Sequence, residues 1–119
     1  MSPDEFARTI GELHGHVSRI LGAIENGGGE VNLRDLGLRL MDIVVIIERD
    51  PGILAAAADL YAAAEVMVRD SVVRLQPEAR KRRLLRDARQ RFEQRFEGAR
   101  PAARERTAEA AQRDLRIAA

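Results

Sequence analysis

The chain contains no cysteine and no tryptophan, a single lysine and only four aromatic residues among 119. Without cysteine there is no disulfide scaffold and no thiolate metal site, which fits a reducing compartment. With Phe6, Tyr61, Phe92 and Phe96 as the only aromatics, the core must be assembled from Leu, Ile, Val, Met and Ala. The strongly apolar run Ile43 to Ile47 is far shorter than the roughly 20 residues a membrane-spanning helix needs. The N-terminus, Met1-Ser2-Pro3-Asp4-Glu5, has no basic region and no apolar core behind it, which argues against a secretory signal. These absences predict a soluble, cytoplasmic protein with no membrane partner. Arginine outnumbers lysine nineteen to one, which reads as GC-rich coding and hence a bacterial source.

What is present is charge, unevenly placed. The net charge is +1, but residues 1–76 hold seven Arg against twelve Asp/Glu, whereas residues 77–119 hold thirteen Lys/Arg against seven Asp/Glu. Such asymmetry predicts either a basic arm for an anionic partner or an arm folded onto its own acidic body.

Periodicity predicts an all-α fold, a four-helix bundle-like domain over residues 1–97 with an Ala/Arg-rich helical extension over 98–119. Ser2, Pro3 and Glu5 form a helix start with a capping box. Phe6, Ile10, Leu13, Val17, Ile20 and Ile24 then give a seam ending near Glu25. Asn26-Gly27-Gly28-Gly29 is an interhelix loop. No strand precedes it and no Gly-Lys-Ser/Thr follows, so it is not a phosphate loop. Asn32 is expected to cap the second helix, which is apolar on most of its circumference. Leu33, Leu36, Leu40, Ile43, Val44 and Ile47 lie on one face, with Leu38, Met41 and Val45 nearly opposite. Only a sliver of Asp35, Arg39, Asp42 and Arg49 remains for water, so this helix reads as central or buried in an interface.

Asp50 and Pro51 start the third helix, expected to run to about Leu75 with Ile53, Ala57, Leu60, Ala64, Met67 and Ser71 inward. Glu65 with Arg69 and Asp70 with Arg74 are i,i+4 pairs. After Pro77 comes an Arg-rich fourth helix with a narrow stripe of Leu85, Ala88, Phe92 and Phe96, capped by Gly98. Beyond Pro101 a weak stripe of Ala108, Ala111, Leu115 and Ala118 marks the extension.

One feature of the first helix stands out. Gly11, Gly15, Ser18 and Gly22 recur at four, three and four, a smooth stripe opposite the apolar seam. Each helical glycine costs about 0.8–1 kcal/mol relative to alanine, so the stripe predicts close backbone packing by another helix. The preferred assembly is a homodimer built on helix 1 or helix 2.

Candidate chemistry is thin. His14 and His16 diverge by about 160° on a helix, so one ion takes at most one of them, and Glu12 with His16 is at best half a metal site. His16 near Arg19 suggests histidine phosphotransfer, without a motif around it. Asp42, a carboxylate in an apolar stretch, is expected to pair with Arg39 or Arg49. No nucleophile triad, dinucleotide fingerprint or metal set can be assembled, so neither catalysis nor a cofactor is expected. The strongest electrostatic feature is Arg80, Lys81, Arg82, Arg83, Arg86 and Arg89, continuing through Arg91 and Arg95. Cations at a helix start oppose its dipole, so their duty lies elsewhere. The leading reading is a non-catalytic interaction module in which these residues engage an acidic protein. A nucleic-acid-binding regulator is the alternative.

Overall fold

The computed structural model of the chain describes residues 1–48, 50–73 and 77–118, the side chains of 71–73 and 118 excepted. The expected Asp70–Arg74 pair, the end of the third helix at Leu75, and the side chains of Arg49, Ser71 and Ala118 lie outside the described residues.

Four helices, α1 (Pro3–Glu25), α2 (Glu30–Ile47), α3 (Pro51–Val73) and α4 (Glu78–Ala118), form an all-α four-helix bundle with no strand among the described residues. Short loops force antiparallel neighbours. Successive helices lie side by side, α4 returns beside α1, and α1–α3 and α2–α4 are the diagonals.

Local signals account for most boundaries. The Glu5 N–H donates to Ser2 Oγ at 3.1 Å, and the Ile53 N–H donates to Asp50 Oδ1 at 3.0 Å. After α1, Gly27 takes a left-handed φ of +95°, and a Cβ at Gly28 would sit 2.8 Å from the Ala23 carbonyl oxygen, so both positions require glycine. The expected Asn32 cap is corrected. The helix starts three residues earlier, at Glu30 behind a Gly29 N-cap with no side-chain bond. Glu30 suits the positive end of the dipole and is held by Arg69 of α3 at 3.0 Å.

The α1 seam comprises Phe6, Ile10, Leu13, Val17, Leu21 and Ile24. Leu21, not the expected Ile20, is fully buried, and Ile20 packs at the edge. On α3 the expected inward residues Ile53, Ala57, Leu60, Ala64 and Met67 are all buried. The same alanine-rich composition makes Pro51–Asp70, at mean hydropathy 1.4, the one described stretch long and apolar enough to cross a membrane. Here it packs between α2 and α4.

The expected stop at Gly98 is absent. α4 continues through Gly98 and Pro101 to Ala118 as one helix of 41 residues. Its buried positions, Leu85, Ala88, Phe92, Phe96, Ala99 and Ala103, keep a single three-and-four rhythm across the proline, so tertiary packing overrides two poor helix formers. At about 1.5 Å per residue such a helix is about 61 Å long, which is the 62 Å length of the molecule. Residues 109–117, nearly all exposed, project past the other three helices, with Leu115 at 71% and Ile117 at 84% exposure.

Candidate interaction surfaces

The residues of the basic segment do not share one task. Lys81 was grouped with the partner-binding cations, but its side chain is 2% exposed. Its Nζ lies 3.0 Å from Glu78 and 3.6 Å from the nearly buried Asp70 of α3. Lys81 is therefore a core residue. Arg82 donates from Nη2 to the Glu25 carbonyl at 3.0 Å, closing the C-terminal end of α1. Arg106 does the same for α2, donating to the carbonyls of Ile47 and Glu48. Neither α1 nor α2 has a basic residue in its own last turn. The cations that suit their negative ends come from α4, about 36 Å apart at 1.5 Å per residue.

The arginines that remain are Arg80, Arg83, Arg86, Arg89, Arg91 and Arg95. Among the described residues none of these six side chains makes an ion pair or a hydrogen bond. At 100° per residue they straddle the seam. Arg86 and Arg89 flank it on the α1 side, Arg91 and Arg95 on the α3 side, where Arg95 lies against Gly52. Among the described residues, charge pairing of this segment with the acidic body is slight. Lys81–Asp70 is the one ion pair between a basic residue of α4 and an acidic residue of the other helices among those described.

α4 is held to α1 by an unanticipated contact. His14 donates from Nε2 to Glu93 at 2.6 Å and stacks on Phe96, with ring centroids 4.6 Å apart at 11°. Phe96 in turn stacks on Phe92 and lies under the guanidinium of Arg100. His14 is thus a packing residue. His16 is exposed, and no cluster of three metal-ligating side chains occurs among the described residues. Asp42 pairs with Arg39 at 3.2 Å.

Within the chain, nothing packs closely on the glycines of the stripe, Gly11, Gly15 and Gly22; Ser18 between them is half-buried. A Cβ at Gly11 or Gly22 would touch nothing within 4 Å, and at Gly15 only the end of Arg19. The first helix is buried on one side. Gly11→Ala and Gly22→Ala are each expected to raise stability by about 0.5–1 kcal/mol, read as the midpoint of urea unfolding. A loss of stability in either variant would mean that another backbone does press on the stripe.

The surface that lies open is apolar, and it belongs to α2. Val31, Leu38, Met41 and Val45 are 53–64% exposed, and Leu54 of α3 is 50% exposed beside them. Periodicity separates the two faces of α2 correctly, but the outer one is bare and not a buried second core. Val31 and Leu54 extend this face beyond the expected Leu38, Met41 and Val45, and the seven-residue spacing of Val31, Leu38 and Val45 is its signal in the sequence. Between α2 and α3 runs a groove of about 760 Å³, floored at Gly37, where a Cβ would come 3.1 Å from Tyr61. The rim is mixed in sign, with Glu30 and Arg69 at one end. Fully burying a side chain of this size is worth about 1.5–3 kcal/mol, so the exposed halves of these five would return roughly 4–7 kcal/mol. Contiguous patches of this kind mark interaction sites.

Comparison with protein-family models, with curated proteins and with solved structures found no match to this chain.

Proposed function

We propose that this protein is a non-catalytic helical interaction module whose α4 arginines engage an acidic protein partner. The observation that carries the reading is the set of six arginines without an ion pair among the described residues, on a helix that the apolar seam already anchors. Helix stability does not account for them, because Arg80 and Arg83 oppose the dipole of α4. Guanidinium groups pair with carboxylates through two parallel bonds and are less strongly hydrated than ammonium. A protein partner suits the layout better than nucleic acid. The arginines sit on two flanks with Asp87 and Glu93 among them, and both aromatics of α4 are buried, leaving none for base stacking.

Fluorescence anisotropy with a labelled polyglutamate peptide and a labelled 20-base-pair DNA duplex, each across a salt series, tests this. Polyglutamate is expected to bind at 50 mM salt. The triple variant Arg83→Glu, Arg86→Glu, Arg91→Glu is expected to weaken that binding at least tenfold with unchanged helicity. Equal binding by the variant overturns the proposal. Duplex binding that exceeds polyglutamate binding and falls steeply with salt makes nucleic acid the partner instead.

A further inference from the structure

We infer that the bare α2–α3 face is the contact surface between two copies of this chain. It is independent of the arginine reading, since it uses other helices and other residues. Two features of the face single out a second copy as its occupant.

The first is shape. A ridge and a groove lie side by side: Val31, Leu38 and Val45 form a straight row along α2, and the groove floored at Gly37 runs next to it. A two-fold axis parallel to α2, set midway between them, seats each copy's ridge in the other's groove. An axis perpendicular to α2 would put ridge on ridge. The contact is isologous, and the two copies run parallel.

The second is charge. Flanking Leu38 within four residues on either side are one arginine and one aspartate, Arg34 and Asp35 before it, Arg39 and Asp42 after it. A strongly acidic or strongly basic partner would meet as many like charges as opposite ones. A copy of the same face brings both signs in equal number.

Light scattering on the eluting chain at 50 µM is expected to give twice the 13.2 kDa of one chain. Leu38→Asp and Val45→Asp, both at positions more than half exposed, are each expected to give a monomer with unchanged circular dichroism. Gly11→Leu, on the α1 stripe, should leave the dimer intact. Small-angle scattering should show a dimer little longer than the 62 Å of one chain, since parallel copies project their α4 ends from the same end. A monomeric native chain, a dimer that survives both aspartate variants, or a dimer split by Gly11→Leu overturns the inference. So does a monomer that sediments with phosphatidylcholine vesicles and loses that binding in Leu38→Asp, which would make a lipid surface the occupant. Loss of polyglutamate binding in the arginine variant has no bearing on any of these outcomes.

Discussion

Phe96→Ala is expected to lower the stability of this protein by about 3–5 kcal/mol, the range for deleting a buried aromatic ring. Domains of this size are stable by about 5–15 kcal/mol in all, so a single substitution would remove a large part of the total. Phe96 has no exposed surface, and its ring touches His14 of α1, Phe92 one turn earlier and the guanidinium of Arg100. Ala99 follows on the same seam and Leu13 lies one residue before the stacked histidine. The thermal midpoint should fall by roughly 9–25 °C, given about 3–5 °C per kcal/mol for a chain of this length. Phe96→Leu keeps most of the volume and should cost no more than about 1.5 kcal/mol. A Phe96→Ala midpoint within 3 °C of the native one would show that α4 does not dock on α1 at this level.

Asp70→Leu is expected to cost about 3–5 kcal/mol, the loss that follows when one partner of a buried ion pair is removed. Lys81 is the only charged side chain buried among the described residues, and it is the only lysine in the chain. Of its two carboxylates Glu78 is 57% exposed and Asp70 only 10%. Removing Asp70 therefore leaves the ammonium facing a partner that water already screens. The double variant Lys81→Met, Asp70→Leu should recover most of the loss, because apolar residues of similar volume replace a buried pair at little cost. Urea unfolding of the two singles and the double gives the coupling directly. Additive losses would mean that the two residues do not act as a pair. The choice of lysine here has a physical reason. Its ammonium is a compact charge at the end of a slim stem, whereas a guanidinium fork brings five donors that a crowded helix junction would have to satisfy.

Legibility followed the range of the interaction. Ser2 and Asp50 cap within three residues, and both caps form as read. The seams of α1, α3 and α4 repeat every three or four residues, so each inward face was visible in its own helix, with one misassignment between neighbouring Ile20 and Leu21. Of the i,i+4 pairs, Glu65–Arg69 is present at 2.7 Å. Gly98 and Pro101 were read as a boundary because local propensity disfavours helix there, yet Ala99 and Ala103 pack on both sides of the proline and carry the helix through. The cost of the glycine stripe is visible in the sequence, but cost does not say what lies opposite, and within the chain nothing packs on its glycines.

Helix number, the ends of α1 and α3 nearest their caps, the division of α2 into two apolar faces and the concentration of arginine in α4 are all properties of short stretches, and short stretches of chain were enough to specify them. Which apolar face of α2 is covered, which arginines close the ends of other helices, why Lys81 is buried and where His14 finds Glu93 depend on residues 11 to 79 positions apart. Those pairings exist only once four helices have taken their places around a common core. Burial and polar partnership are properties of that assembly, and no repeat within a single helix encodes them.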